Sequence, residues 1–405
     1  MTGDRSRLRR VLSGESGLAL AIIVVVVLTA LADRQHNYLY FPRESAVNIL
    51  RHTAMLGIFA LGSAIVIIAG GIDLSSGSTI AFSGAVCATL MSLLARDSMA
   101  NSQPVGAGVI VLAIAGTLVA GLLIGSLHTW LITVVGLPPF IATLATLVGL
   151  RSLGRLLIEN VTPYVLGGRS TQIQIYDAQF RYLAGSVWIP VLVFFVLAAV
   201  LWLLMSRTVV GRHLYALGGN ETAARLSGIR TERLKWLAYS ISALTSAIAG
   251  ILYISDQSVA DPQTLARGYE LNAIAAAVVG GCSLQGGIGS IPGTVLGCLF
   301  LRTVVDGIGK VIKTGADVYE GLIVGIVLVI AVAVNLGTQR KAFFPGWLGA
   351  AAVLNLALLA GALGMLASGP RTGGLVAVLA LVLLSGWKTF ESRRAGMSET
   401  SPTSP

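Results

Sequence analysis

The chain has 405 residues, of which 55% are hydrophobic and only 11% charged, and its mean hydropathy is +0.82. A soluble globular domain carries roughly 25% charged residues, so this composition excludes a soluble protein and predicts an all-α polytopic membrane protein. The net charge of +10 does not indicate nucleic-acid binding, because the basic residues cluster between apolar runs, as orientation in a membrane requires.

Sequence motifs for catalysis, metal binding or nucleotide binding are absent. Cys87, Cys282 and Cys298 lie in apolar or glycine-rich segments without CxxC spacing, which predicts neither a disulfide nor a metal site. The histidines are scattered, and no phosphate-binding loop or nucleophile elbow occurs. We therefore expect no catalytic residue, no metal and no cofactor, and any energy that the protein uses would have to come from another protein.

Apolar runs of about 20 residues predict about ten core membrane helices within residues 17–336, some broken or glycine-rich, and two further helices in 343–387. Residues 1–16 are expected to form a basic N-terminus, and residues 388–405 a disordered tail. The first apolar run could belong to a signal peptide, but no clear small-residue cleavage site follows it, which favours a retained first helix. Residues 271–305 are either two spans or a re-entrant pair. The predicted segments are 17–32, 47–69, 74–95, 105–134, 138–158, 187–205, 234–254, 271–284, 291–305, 317–336, 343–368 and 371–387.

Basic clusters predict the orientation of these segments. They lie in the N-terminal ten residues, in the loop 206–235, at Arg340-Lys341 and after residue 387. Twelve crossings place all four clusters on one side, and the positive-inside rule makes that side the cytoplasm. Both termini are therefore predicted to be cytoplasmic.

The loop 206–235 contains the longest polar interval of the chain, GRHLYALGGNETAARLSGIR at 211–230. Asn220 is a good N-cap, and Glu221 places a carboxylate in the first helical turn, where the helix dipole favours it. Gly228 suits the position after the helix, and Gly218-Gly219 are expected to break the chain in front. The pattern predicts a short, capped, exposed helix at 220–227.

Glycine pairs recur at segment ends and predict irregular backbone that is buried in protein or lines a cavity. Within GGIDLSSGS at 70–78, Asp73 is a carboxylate at membrane depth and hence a functional-site candidate, although it also suits a helix cap. The hydroxyls that follow it either line a polar path or bind neighbouring helices. Glu270, shortly before Asn272, either receives a partner or caps a helix.

Four blocks carry a resemblance to a known family. They occur in a fixed order and read GGIDLSSGS at 70–78, LPPFIATLAT at 137–146, GRHLYALGGNETAARLSGI at 211–229 and ELNAIAAAVVGGCSLQGGIGSIPGT at 270–294. Over about residues 45–336 the chain resembles the membrane permease subunits of bacterial ABC importers for monosaccharides, the ribose/xylose/galactose class.

The resemblance implies a subunit of an ATP-driven sugar importer in the bacterial inner membrane. It implies as partners a second permease subunit, an ATPase with tandem nucleotide-binding domains, an extracytoplasmic sugar-binding protein and membrane lipid. By position, the residues that couple to the ATPase would be Gly218, Gly219, Asn220, Glu221, Ala223, Ala224, Ser227 and Gly228. Those of the translocation path would be Gly70, Gly71, Asp73, Ser75 and Asn272.

The chain departs from the family pattern in two places. The helices in 343–387 follow the point where relatives commonly end, and Cys282 and Ile288 replace a threonine and a charged residue, which leaves the role of that loop open. Alternative cargoes are nucleosides, branched-chain amino acids, signalling furanosyl diesters or another small polar solute. A non-transporting membrane scaffold or sensor is the alternative from a different class.

Overall fold

The computed structural model describes residues 15–311, 320–322, 324–329, 332, 346–368 and 370–399. Eight helices in this described part are long and apolar enough to cross a membrane, which confirms the all-α polytopic fold. The elements are α1 (Glu15–Ala32), α2 (Asn37–Tyr40), α3 (Pro42–Ile68), α4 (Ser76–Leu94), α5 (Arg96–Ala100), α6 (Ala107–Thr133), α7 (Pro139–Leu166), β1 (Ile173–Gln174), α8 (Ala178–Gly185), α9 (Trp188–Arg207), α10 (Val209–Gly219), α11 (Glu221–Leu226), α12 (Thr231–Gln257), β2 (Val259–Ala260), α13 (Tyr269–Val279), α14 (Ile291–Val311), α15 (Gly346–Ser368) and α16 (Pro370–Glu399).

Contacts divide the chain into two units, Met1–Ala331 and Val332–Pro405. The core of the first unit consists of α3, α4 and α12. In an 18-residue apolar stretch of each helix, 89%, 72% and 78% of the residues are buried, respectively. Small residues let these helices approach closely. A Cβ on Gly62 of α3 would lie 2.8 Å from the Cα of Ser242 on α12, and a Cβ on Gly250 would lie 2.5 Å from the carbonyl oxygen of Ile80 on α4.

The segment at 271–305 is neither two full spans nor a symmetric re-entrant pair. Helix α13 has 11 residues and rises about 16 Å, too little to cross the roughly 30 Å hydrocarbon core, whereas α14 is long enough to do so. The two helices pack tightly at Gly280 and Gly293, where a Cβ on Gly280 would lie 2.5 Å from the carbonyl carbon of Gly293. A half-helix therefore ends next to a full span.

The two ends of the first unit differ in their contacts. At the end where α12 finishes, Arg51 pairs with Asp256, and β1 pairs antiparallel with β2, with Ile173 opposite Ala260. At the opposite end, α3 leads into the extended residues 71–75, and α10 packs against α3 and against Gly70. Helix α3 thus connects an end built from β-pairing and ion pairs with an end built from glycine-rich backbone.

The second unit contains α15 and α16, which pack along each other. Helix α16 continues to Glu399, so residues 388–399, predicted as a disordered tail, are helical. This stretch is rich in helix-forming residues such as Lys, Glu, Arg, Ala and Met, which explains the extension. The predictions for residues 1–14 and 400–405, and for most of 312–345, fall outside the described residues.

Candidate functional site

The predicted capped helix is present as α11. The side-chain oxygen Oδ1 of Asn220 accepts a hydrogen bond from the backbone N–H of Ala223 at 2.9 Å, which confirms the N-cap. At the other end, the N–H of Ile229 donates to the carbonyl of Ala224 at 3.1 Å, and Gly228 adopts a φ of 82°. This is the glycine-terminated helix end expected from the sequence.

Ion pairs tie α11 to the start of α12. Glu221 lies 2.7 Å from the ammonium of Lys235 and 3.2 Å from the guanidinium of Arg225, and Arg225 also lies 3.4 Å from Glu232. Partial burial raises the pKa of Glu221, but Lys235 and Arg225 outweigh this effect and hold the pKa below its ordinary value. Glu221 is therefore ionised at neutral pH and anchors α11.

The residues assigned to coupling separate into an outer and an inner set. Ala223 and Ser227 are exposed, whereas Ala224 is only 4% exposed and packs against the protein itself. Leu226, a residue outside the predicted coupling set, is 85% exposed. An 85% exposed leucine on a polar helix is available to a partner. Ala224 instead seats α11 on its own subunit.

The interval in front of α11 is helical, contrary to the prediction that Gly218-Gly219 break the chain. Thr208 caps α10 by accepting a hydrogen bond from the N–H of Gly211 at 3.1 Å, and the two glycines form the last turn of that helix. The break falls at Asn220. Position 218 has no room for a side chain, because the carbonyl oxygen of Ile68 and the backbone nitrogen of Gly287 lie where a Cβ would stand.

Three glycine pairs that the sequence singled out meet at one point, which we call the glycine junction (Gly70, Gly218, Gly286 and Gly287). A Cβ on Gly286 would lie 2.6 Å from the carbonyl oxygen of Gly218 and 2.7 Å from the Cα of Gly70. The N–H of Gly287 donates to the carbonyl of Ile68 at 2.9 Å. Three segments distant in sequence therefore touch through backbone alone.

Asp73 lies three residues beyond this junction and is 2% exposed. Its Oδ1 accepts hydrogen bonds from the N–H of Ser75 at 2.8 Å and from the hydroxyl of Ser75 at 2.6 Å. Its Oδ2 accepts from the hydroxyl of Ser242 on α12 at 2.6 Å. The carboxylate thus orders the turn before α4 and ties it to α12, but it does not cap the helix, because the N-cap of α4 is Ser75 and has no side-chain cap hydrogen bond.

Sequence reasoning missed the side chains that surround Asp73. The Tyr239 hydroxyl lies 2.5 Å from where a Cβ on Gly71 would stand, and the Tyr239 ring packs edge-on against His128 at 6.0 Å. His128 Nε2 is hydrogen-bonded to the Thr146 hydroxyl at 2.8 Å. A signal was available, because Tyr239, Ser242 and Ser246 recur on one face of α12 at helical spacing.

Asn272 belongs to a different polar cluster. Its side-chain amide donates to Oε1 of Glu320 at 3.1 Å, and the same oxygen accepts from Arg302 at 2.9 Å. Arg302 is 8% exposed, so the cluster is a largely buried ion pair with an amide partner. The structure therefore groups Gly70, Gly71, Asp73 and Ser75 but gives Asn272 separate partners.

Glu270 occupies the first turn of α13, whose N-cap is Gly268. Its Oε2 is buried and has no hydrogen-bond partner among the described residues, and it faces the backbone of Gly77. The Arg151 guanidinium holds the preceding loop by donating to the carbonyls of Leu265 and Ala266, each at 2.9 Å. Glu270 is thus not the N-cap residue of α13, and its Oε2 lies inside the bundle, so that reception of a partner at Glu270 stays a prediction.

Comparison with known proteins shows the family of this chain. Residues 45–332 match the family described as "Branched-chain amino acid transport system / permease component". The chain belongs to this family. It is a multi-pass inner-membrane permease, a non-catalytic transport component.

Named relatives cover most of the permease. It is 32% identical to the ribose import permease protein RbsC of Haemophilus influenzae, over 82% of this chain and 96% of the relative. It is 35% identical to RbsC of Bacillus subtilis, over 79% and 90%, and 30% identical to the xylose transport system permease protein XylH of Escherichia coli K12, over 75% and 87%. No solved structure matches the chain.

Proposed function

We propose that this permease is the membrane subunit of an ATP-driven importer that moves a small sugar across the cytoplasmic membrane by alternating access. One observation carries the proposal. Helix α11 is capped at both ends and exposes Leu226, while the helix before it touches the loop of Asp73 through glycine backbone. A partner that moves α11 therefore acts on the centre of the bundle.

The proposed orientation places α10, α11 and both termini in the cytoplasm. It is supported by the basic residues around α11, which include Arg212, Arg225, Arg230, Arg233 and Lys235. The glycine junction and the residues of the Asp73 loop then face the cytoplasmic side. The end with β1, β2 and the Arg51–Asp256 pair faces outward.

A sugar is the proposed cargo because the named relatives handle ribose and xylose. The family description instead mentions branched-chain amino acids. We give the relatives more weight, because a family description covers many cargoes whereas each relative is aligned over most of its length. Nucleosides, branched-chain amino acids and other small polar solutes are the alternatives that the experiment below separates.

In the proposed assembly, two permease subunits bind an ATPase with tandem nucleotide-binding domains on the inside and a sugar-binding protein on the outside. Residues 17–336 form the permease domain, and the helices in 343–387 are an addition. ATP binding closes the ATPase on α11 and shifts the bundle between inward- and outward-facing states. ATP supplies the difference in affinity that any such shift requires.

The path residues have distinct proposed roles. Gly70 and Gly71 give the Asp73 loop its close backbone packing, and Asp73 with Ser75 holds the loop to α4 and α12. Asn272 contributes to the path with Glu320 and Arg302 as its neighbours. Sugar contacts along the path are weak in this scheme, because tight binding would slow release.

The test is uptake by proteoliposomes that contain the permease with the ATPase and binding protein encoded beside it. A panel of labelled pentoses, hexoses, nucleosides and branched-chain amino acids is offered with and without ATP. We expect ATP-dependent uptake of a sugar, lowered at least about tenfold in Leu226→Asp because a charge in an apolar contact stays unpaired. Uptake of an amino acid or nucleoside would reject the cargo, and absence of all uptake would reject the import function.

A further inference from the structure

We propose that residues 282–290, the clasp loop, are a positioning element that passes movements of α10 and α11 to the Asp73 loop (residues 70–75). Tyr215 and Gly218 are its contact points on α10. The inference rests on the proposed function and assigns a role to a loop whose side chains depart from the family pattern at Cys282 and Ile288. Its contacts use backbone atoms of the loop, so those departures leave them intact.

The first contact is a hydrogen bond between α10 and the clasp loop. The hydroxyl of Tyr215 donates to the carbonyl of Gly289 at 2.9 Å. Burial raises the pKa of Tyr215, so the phenol remains protonated and keeps donating at neutral pH. This bond makes the clasp loop follow α10 when α10 moves.

The second contact joins the clasp loop to the end of α3. The N–H of Gly287 donates to the carbonyl of Ile68 at 2.9 Å, and Gly218 lies against this hydrogen bond. A Cβ on Gly218 would overlap the Ile68 carbonyl oxygen and lie 2.5 Å from the Gly287 nitrogen. Only glycine at 218 lets the bond form beside α10.

The third contact brings the Asp73 loop into the same cluster. Gly286 has a φ of 85°, and its backbone lies against both Gly218 and Gly70. Bare backbone contacts leave no side chain whose rotation could absorb a displacement, and packed interiors transmit strain. From Gly70 the chain reaches Asp73, which is bonded to Ser242, so a shift of α10 is passed on to α4 and α12.

The experiment uses the complete reconstituted importer and measures sugar uptake and ATP hydrolysis in the same vesicles. The variants are Tyr215→Phe, which removes one hydrogen bond, and Gly218→Ala, which blocks the Gly287–Ile68 bond. Gly108→Ala on α6 is the matched control, because a Cβ there meets nothing within 4 Å. We expect Tyr215→Phe to lower uptake per ATP about fivefold, equivalent to about 1 kcal/mol, with assembly and hydrolysis retained.

Gly218→Ala is expected to lower uptake per ATP further, and Gly108→Ala to leave it unchanged. If Gly218→Ala does not assemble, Tyr215→Phe decides alone. A wild-type ratio of uptake to hydrolysis in Tyr215→Phe overturns the inference, as does an equal loss in Gly108→Ala. If the complex with the wild-type permease imports no sugar, the proposed function is rejected and the inference with it. If the wild-type complex imports sugar and Tyr215→Phe imports as much sugar per ATP, only the inference is rejected.

Discussion

The central helices and the peripheral helices of this permease differ in a way that reverses the rule for soluble proteins. The central helices α3, α4 and α12 have mean hydropathies of 1.7, 1.6 and 1.7 and are the most buried. The peripheral helices α1, α6 and α9 have higher mean hydropathies of 2.4, 2.6 and 2.7. Only 6%, 28% and 33% of the residues in their 18-residue apolar stretches are buried. The most apolar helices therefore lie on the outside of the bundle.

Lipid explains the reversal. Lipid tails are as apolar as leucine, so burial of apolar surface does not drive helices together, and association depends on close packing of small residues and on hydrogen bonds. The central helices accordingly carry buried hydroxyls, such as those of Ser78 and Ser83 on α4 and of Ser242 on α12, and Ser242 donates to Asp73. Hydropathy alone therefore identifies spans but does not show which of them form the core.

The largest expected effect comes from filling a backbone contact between a peripheral and a central helix. A Cβ on Gly125 of α6 would lie 2.5 Å from the Cα of Ser240 on α12, whereas a Cβ on Gly149 of α7 meets nothing within 4 Å. We expect Gly125→Leu to remove folded protein from the membrane, because backbone cannot move aside as a side chain can. Gly149→Leu is the matched control and should insert normally.

Membrane-extracted protein, assayed by size-exclusion chromatography after detergent extraction, distinguishes the two variants. Equal recovery of Gly125→Leu and Gly149→Leu would show that the close contact between α6 and α12 does not stabilise the bundle. That result would contradict the expected difference between a glycine packed against the central helix α12 and a glycine with open space around it.

The next effect concerns Asp73. Asp73→Leu leaves the hydroxyl of Ser242 and both donors of Ser75 without their acceptor, a loss of about 3 kcal/mol by the cost of unsatisfied buried groups. Asp73→Asn keeps a similar shape and an acceptor oxygen, so we expect thermal stability and uptake close to wild type. Melting of the purified permease and uptake by vesicles test both variants. Loss of uptake in a stable Asp73→Asn would indicate that the charge itself acts on the cargo.

A smaller effect is expected at the surface. Glu221→Gln weakens the pairs with Lys235 and Arg225, each of which is partly exposed. We expect the free energy that holds α11 in its folded position to fall by about 0.5 kcal/mol, as is usual for surface ion pairs. Because the pKa of Glu221 is lowered in the fold, its contribution is present at neutral pH and is lost only as the pH falls through that lowered value. Amide hydrogen exchange of α11 at neutral and acidic pH measures it. An unchanged exchange rate in Glu221→Gln at neutral pH would contradict the anchoring role.

The smallest effect is expected from removing the second unit. Deletion of residues 343–405 removes both α15 and α16, and the family match ends before them at residue 332. We expect the truncated chain to insert and to import at a rate near wild type, measured by membrane abundance and vesicle uptake. Disappearance of the truncated protein from the membrane would make these helices an integral part of the fold.

Much of the fold could be predicted from the sequence, because the length of an apolar run and the caps of a helix depend on residues that are close together in the chain. Helix α7 begins at Pro139, next to the predicted start at residue 138, and Asn220 caps α11 and Gly228 ends it, as predicted. The short helix α13 and the helical α10 were predicted less well. Gly280, directly after α13, and Gly218, in the last turn of α10, lie against backbone of other segments, and local propensity does not contain that information.

The candidate site was predictable in part for the same reason. Asp73 stands out because a carboxylate between apolar runs is unusual, but Ser242, Tyr239 and His128 are common residues that only the packing of α12 against α4 and α6 brings near it. The glycine pairs were visible in the sequence, yet their meeting point was not, because long-range contacts set it.

The central claim is that an ATPase drives this permease through α11. All three native cysteines are buried, so Leu226→Cys introduces one accessible thiol, which a photoactivatable maleimide can label. Illumination of the reconstituted importer should join the permease covalently to the ATPase. Efficient labelling in an importing complex without any permease–ATPase adduct would contradict the claim.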